Sequence, residues 1–518
     1  MSKTSPYDEL PYPRLAFAQS HPNHLGAIGR LFGTNPTPPS RARILELGCA
    51  QGGNLLPMAV GLPSAELVGL DFSQRQIDDG KATRDECGIT NARLLQANLL
   101  EVDDSWGQFD YIIAHGLYSW VSPEVQAKVM EVCSRNLAPN GIAYVSYNCN
   151  PGWRIRGMFR EMMLFHTAGL KSPADKIKHA RALLDYLASY AGQKTPYGAM
   201  LQREAATIRN ADDAYLFHEH LETNNQSVYF HEFMAQAHQV GLMYLAESPI
   251  QTMFDVDFDA KTTETLQQLG SGNILHVEQY MDFLRNRTFR QTLLVHKNIH
   301  LTRNLDWRNL LPLRIGINQA LSCEPHDVSG CEATEYTELP SGLKFTVTHP
   351  GIKAALQLLR EQSPQSVTFG DLVALAKATS RSSENIEEVV ATQIYGLLAM
   401  GVANITIEPW LCATSVGDRP KASALARKQA GSADPIITLR HQHTNRTPSF
   451  LWRLLQLVDG RTINEVAEAI VADAQAGKLQ IKREGKPIKD PTDLMARVKA
   501  DLPTHLGHLR EMALLLPH

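Results

Sequence analysis

Nine consecutive residues, Glu46-Leu47-Gly48-Cys49-Ala50-Gln51-Gly52-Gly53-Asn54, join a carboxylate to three glycines. Glycines of this kind let a backbone approach a ligand closely, and a loop opening onto a helix N-terminus points N–H groups at it. The GxxxGG spacing departs from the GxGxxG of nicotinamide and flavin binders, and the acidic residue lies inside the preceding strand. A second carboxylate, Asp71, ends the next strand. Two such acceptors describe a nucleoside whose ribose hydroxyls need partners and whose tail carries an amino group rather than a diphosphate. S-adenosylmethionine answers that description. Taken singly, Glu46 also reads as a strand-end ion pair, Asp71 as a helix cap with Ser73, and Cys49 as a packing residue.

Two further stretches carry chemistry: His115-Gly116-Leu117-Tyr118-Ser119-Trp120 and Ser146-Tyr147-Asn148-Cys149-Asn150-Pro151-Gly152-Trp153. Methyl transfer from a sulfonium needs alignment, a nucleophile with a free lone pair and cation-tolerant walls, but no strong base for an amine that arrives deprotonated. Tyr118 and Trp120 are expected as wall residues, and His115, Tyr147 and Asn148 as groups that orient the acceptor. Trp153 either stacks on the acceptor or pins the next helix. The Asp/Asn/Ser-Pro-Pro-aromatic motif of base-amino methylation is missing after the fourth strand. His218-Glu219-His220 and His231-Glu232…His238 lack the HExxH spacing of a metal site, so no metal is expected. They read as polar helical surface, lining the substrate cleft or exposed to solvent.

Hydrophobic patterning supplies the elements that must bring these residues together. It predicts strands over 43–47, 66–70, 92–97, 109–114 and 141–146, alternating with helices over 54–62, 73–87 and 124–137. That order means an α/β fold with a doubly wound, mainly parallel sheet. Ligands of such sheets sit at the carboxyl ends of the strands, where the glycine loop, Asp71 and the His115–Trp120 and Ser146–Trp153 stretches fall. A helical insertion is expected over about 155–225. Strands at 241–246 and 289–296 then form a closing hairpin, without which strand five would be an unprotected edge. Residues 1–40, with Pro6, Tyr7, Pro11, Tyr12, Pro13 and Phe17, read as an arm lying on the surface or closing over the pocket. Residues 41–300 are expected to be the catalytic core, 301–416 an accessory domain, 417–432 a polar linker and 433–518 a helical domain. The two C-terminal domains share a Pro, Leu-rich helix, turn, amphipathic helix theme, read as winged-helix-like units.

Composition narrows the classes. The 518 residues hold 50 Lys+Arg against 54 Asp+Glu, a formal charge of −4, so no global basic excess drives nucleic-acid binding. Seven scattered cysteines without a CxxC argue against a disulfide scaffold or zinc module and suit a reducing cytoplasm. No apolar leader or membrane-spanning run is expected.

The glycine loop with Glu46 and Asp71 resembles the seven-stranded S-adenosylmethionine-dependent methyltransferases. That resemblance implies that Gly48 and Gly52 lie against the methionine part of the cofactor with Glu46 behind them, and that Asp71 binds the ribose. Cys49, Asn54, Phe72, Leu99 and His115 would complete the cofactor site. Where the family usually places an Asp for the adenine amino group, this chain has Asn98, a neutral acceptor. More specifically, YDELPYPRLAFAQSHP, ILELGCAQGGN, FDYIIAHGLYSWV, SYNCNPGW and YFHEFMAQAHQVGLMYLAE resemble bacterial methyltransferases with a methyltransferase regulatory domain. Characterised members of that family are protein-lysine methyltransferases of outer-membrane proteins. The resemblance covers about residues 5–300 and implies lysine N-methylation, a homodimer and an open active site. Two other readings stand beside it. One is methylation of a small molecule in a biosynthetic pathway. The other is a regulatory protein whose C-terminal units bind a partner or nucleic acid, where Arg419, Lys421, Arg427 and Lys428 offer only a short basic patch.

Overall fold

A computed structural model describes residues 14–191, 194–318, 320–324, 327–339, 341–380, 385–444, 449–483, 486–488 and 490–518. Residues 1–13, with Pro6, Tyr7, Pro11, Tyr12 and Pro13, lie outside the described residues. β1 (Arg43–Leu47) is apolar apart from Arg43 and Glu46, and Ile44, Leu45 and Leu47 are fully buried, as a central strand covered on both faces requires. Around it lie β2 (Glu66–Asp71), β3 (Ala92–Gln96), β4 (Phe109–Ala114), β5 (Leu137–Asn148), β6 (Leu242–Glu247) and β7 (Phe289–His296). The strand order is β3-β2-β1-β4-β5-β7-β6. The first five strands pair parallel, and β7 runs antiparallel to both β5 and β6. β6 and β7 are neighbours, as expected, but no tight turn joins them. Helices Ala260–Gly270 and Ile274–Arg285 lie between, each opened by an Asp or Asn cap.

The insertion between β5 and β6 contains helices Gly152–Thr167, Pro173–Tyr190, Pro196–Asn210 and Asp213–His220. Ser172, Thr195 and Asp212 cap the last three, and Pro at the first helical turn fits where no N–H is needed. Phe159, Met163, Leu184, Leu201 and Leu216 give the insertion a core of its own.

From residue 14 onward the N-terminal segment is no loose surface arm. Helix Pro22–Leu31 is buried nearly all round, and a Cβ on Gly26 would lie 2.3 Å from Ile407 Cδ1. Strands Arg314–Ile317, Val367–Thr368 and Ala403–Thr406 form a small antiparallel sheet beside helices Pro350–Gln362, Phe369–Thr379 and Ile386–Ala399. Their apolar side chains, among them Leu356, Leu359 and Ile405, join one continuous core with Ile28, Ile44 and Tyr144 under the main sheet. Helices Ser449–Leu457, Ile463–Gln475 and Pro491–Glu511 pack around a separate core. The stretch 417–432, expected as a linker, instead holds helix Ala424–Ala430, capped by Ser423 and with Leu425 and Ala426 buried. Its polar residues masked two adjacent apolar anchors.

Candidate active site

β1 delivers Glu46 to the carboxyl edge of the sheet, where the chain turns at Gly48 (φ +73°) and Ala50 (φ +48°). The turn is held by Asp71, whose Oδ2 accepts from the Ala50 N–H and whose Oδ1 accepts from the Ser73 N–H, both at 2.9 Å. Glu46 is buried; its Oε1 accepts from Asn54 Nδ2 at 2.7 Å, while its Oε2 has no partner. Burial pushes this carboxyl up to about 8; the Asn54 hydrogen bond opposes the shift and the Asp71 charge adds to it. Cys49 packs its sulfur on Gly69 of β2, where an added Cβ would come within 2.7 Å.

These groups open onto a cavity of about 910 Å³. Glu46, Gly48, Cys49, Asn54, Asp71, Phe72, Asn98, Leu99, His115, Trp120 and Asn148, all named from sequence, line it. Phe72 is 62% exposed, an aromatic face presented beside Asp71. Asn98 accepts from Leu100 N–H at 3.1 Å, which orients its amide. His115 is stacked on Phe17 at 3.6 Å and shares a 2.8 Å hydrogen bond with the Tyr144 hydroxyl; burial pushes its ring down to about 3, so it is neutral.

Three expectations need correction. Gly52 faces away from this cavity, toward Leu56 and Leu94, and Gly53 lines it instead. There the arm packs so closely that a Cβ on Gly53 would lie 2.9 Å from Arg14 Cα. Tyr147 turns into the core, where it stacks on Phe233 at 4.0 Å and shares a 3.0 Å hydrogen bond with Thr292. Successive strand residues point to opposite faces, so Tyr147 and Asn148 cannot both reach one cavity. Tyr118 is also fully buried: its ring meets Phe233 edge-on and its hydroxyl donates to Gln236 Oε1. The short helical turn Tyr118–Trp120 sends one aromatic inward and the other to the cavity.

Of the far wall, the sequence pointed to Phe17 in the arm and to Glu219 in a polar helix lining the cleft, and missed Arg14, Leu15, Arg156, Tyr215, Glu222 and Phe289. Arg14, Leu15 and Phe17 come from the arm, Arg156, Tyr215, Glu219 and Glu222 from the insertion, and Phe289 from β7 beside Asn148. Trp120 and Trp153 meet edge-to-face at 6.4 Å. Glu219 is pushed up to about 7 by burial, with Arg156 pulling the other way. Of the histidine clusters only His218 reaches the cavity; His231 bonds Gln279, and among the described residues no three metal-ligating side chains converge.

Three family models match the chain: a methyltransferase domain over residues 44–141, a "predicted methyltransferase regulatory domain" over 212–296, and the "PKMT, C-terminal winged helix domain" over 418–514. The uncharacterised protein RP789 of Rickettsia prowazekii is 34% identical over 510 residues, 96% of this chain and 91% of that protein. The structure of PKMT2 from Rickettsia typhi in complex with AdoHcy is 32% identical, with a TM-score of 0.86 over 98% of this chain and all of that one. The chain belongs to this PKMT family of S-adenosylmethionine-dependent methyltransferases. The expectations of fold, enzyme class and cofactor drawn from the glycine loop are therefore correct. In this PKMT-family chain the residues present also suit that cofactor. Glu46 keeps a buried carboxyl oxygen without a partner, suited to a cofactor ammonium, Asp71 offers acceptors at the strand end, and Phe72 offers an apolar face.

Proposed function

We propose that this methyltransferase acts on the Nζ of lysine side chains in a protein substrate. The observation that carries the reading is a cavity continuous from the Glu46–Asp71 edge to Trp120, Trp153, Glu219 and Glu222. Its cofactor end is assigned to S-adenosylmethionine, with Glu46 facing the ammonium, Asp71 the ribose, and Phe72, Asn98 and Leu99 the adenine. The loop from Gly48 to Asn54 and the His115 ring enclose the remainder. Bound there, the cofactor supplies an electrophilic methyl group on a sulfonium. The chain's own residues do the rest. Trp120 borders the acceptor's cationic path, where an aromatic face stabilises alkylammonium charge. Asn148, whose side chain lines the cavity, orients the amine by accepting its N–H at the amide oxygen. Glu219 takes the proton that a lysine ammonium must lose before its lone pair is free, a task suited to a carboxyl titrating near neutrality. The relative carrying the name PKMT2 supports the same acceptor class.

Tandem mass spectrometry of outer-membrane and other lysine-rich proteins incubated with enzyme and cofactor tests this. Mass increments of methyl groups on lysine are expected. Turnover of a small amine with no protein labelling would instead establish the second reading, a small-molecule methyltransferase, which the closeness of Leu15, Phe17 and Tyr215 around the cavity favours.

The working form is inferred to be a cytoplasmic homodimer, with residues 41–300 as catalytic unit and 301–416 and 433–518 as accessory units. Among the described residues no helix is long and apolar enough to cross a membrane. Phe165, Tyr186 and Tyr190 on the insertion are 88%, 64% and 83% exposed, apolar surface that suits a second copy. Light scattering of the purified chain gives the mass.

A further inference from the structure

Asn54 is buried where three distant parts of the chain meet. Its Nδ2 donates to Glu46 Oε1 at 2.7 Å and to Ser20 Oγ at 3.1 Å. Its Oδ1 accepts from the Phe17 backbone N–H at 2.9 Å and lies 2.7 Å from Nε2 of His441. A backbone N–H can only donate, so the amide has one workable orientation: oxygen toward Phe17 and His441, nitrogen toward Glu46. Nε2 of His441 therefore carries a proton and donates it, which makes Nδ1 the bare nitrogen of a neutral ring.

His441 stands 387 residues along the chain from Asn54, in the segment that leads into helix Ser449–Leu457. Two unfavourable features coincide at this one residue. Its φ is +61°, in the left-handed region that non-glycine residues seldom occupy, and its buried Nδ1 has no partner. Strain and unsatisfied polar groups persist where the surrounding structure over-determines a conformation, and they gather at functional sites. The surroundings here are specific. His443, two residues on, accepts from the Ala16 N–H at 2.9 Å. Arg14 bridges Gln51 of the cofactor loop at 2.9 Å and Asp434 at 3.5 Å. The segment 434–443 thus clamps the arm against the glycine loop, and His441 passes between them to the amide that holds Glu46.

We propose that His441 is a positioning residue for S-adenosylmethionine: through Asn54 it fixes the Glu46 carboxylate, so that the C-terminal part of the chain completes the cofactor site. The inference rests on the assignment of Glu46 to the cofactor.

Isothermal titration of the full chain with S-adenosylhomocysteine tests both steps separately. His441→Ala is expected to weaken binding about tenfold, the scale of one lost buried hydrogen bond and its consequences. His441→Asn should lose as much, since Asn tolerates φ +61° but its short amide falls away from Asn54; it decides the matter if the Ala variant does not fold. His441→Gln, which restores a donor at similar reach, should return affinity to within about threefold. Because both act through one contact, His441→Ala should add nothing to the loss in Asn54→Ala. Unchanged affinity in His441→Ala and His441→Asn overturns the proposal, as does full additivity with Asn54→Ala. Glu46→Gln separates the two claims: no loss there overturns the Glu46 assignment itself, whereas a loss with His441 variants at full affinity overturns only the role of His441.

Discussion

Asn54 donates to one oxygen of Glu46 over 2.7 Å and leaves the other, equally buried, without a partner. A half-satisfied carboxyl away from water holds its proton, and this one is pushed up to about 8. A cofactor ammonium prefers the ionised form, so binding below pH 8 must expel that proton. Affinity for S-adenosylhomocysteine should therefore rise as pH increases from 6 to 8, by up to about tenfold per unit, and level off above. Glu46→Gln should bind more weakly and lose the slope. Calorimetry at four pH values checks this; a wild-type affinity that falls over the same range contradicts it.

Asp71 uses its two oxygens on opposite sides, toward the N–H of Ala50 and that of Ser73. Asp71→Asn must turn an NH₂ against one of those donors while removing the charge. Loop and ribose contact fail together, and hydrogen bonds to charged groups contribute about 1.5–3 kcal/mol each. Cofactor affinity should drop roughly 10- to 100-fold. A variant binding within twofold of wild type would show that Asp71 only closes the loop.

Trp120 and Tyr118 sit two residues apart with opposite fates, one lining the cavity and one fully buried. Trp120→Ala should lower kcat/KM for the acceptor about tenfold or more and leave cofactor affinity within twofold. Tyr118→Phe removes the donor to the part-buried Gln236 Oε1 and should reduce stability by about 0.5–1.5 kcal/mol while turnover per folded molecule holds. Steady-state kinetics beside denaturant titration distinguish the two. An intact kcat/KM in Trp120→Ala would remove Trp120 from the acceptor path.

The strands, their order of use and most of the cofactor edge were legible because a buried parallel sheet writes itself as short apolar runs broken by glycine and capping residues. Gly48, Asp71 and Glu46 carried meaning through spacing alone. Tyr147 was misplaced because side-chain direction at a strand end depends on register, which Asn148 and Tyr147 cannot share, and Tyr118 because it lies in a helical turn beyond β4 whose side chains diverge. Arg14 and His441 were out of reach for a different reason. Each arrives from an element whose docking is set by tertiary packing, and no local periodicity encodes contact across 387 residues. The helix Ala424–Ala430 was similarly hidden, because its polar side chains outnumber the two apolar ones that anchor it.

Beneath the acceptor edge, Arg290 of β7 is completely buried and meets Glu247 at 2.6 Å, Asp282 at 2.9 Å and Glu278 at 3.0 Å, with Phe230 stacked under its guanidinium at 3.9 Å. Arg287 adds a second cation at 3.1 Å from Asp282, and the Cys149 thiol donates to the same carboxylate. The cluster ties β6, β7 and helix Ile274–Arg285 to the end of β5 that presents Asn148. Arg290→Met preserves apolar bulk but strands three carboxylates with one remaining guanidinium, and breaking a buried ion pair from one side costs about 3–5 kcal/mol. The sign of the pH response follows. Carboxyls left uncompensated bind protons more tightly folded than unfolded, so folding of the variant takes up protons and its stability grows as pH falls. The variant should thus recover part of its deficit relative to wild type between pH 8 and pH 5, read as the urea midpoint at each pH. A deficit that stays constant or widens on acidification would mean that packing against Phe230, rather than charge, accounts for the loss.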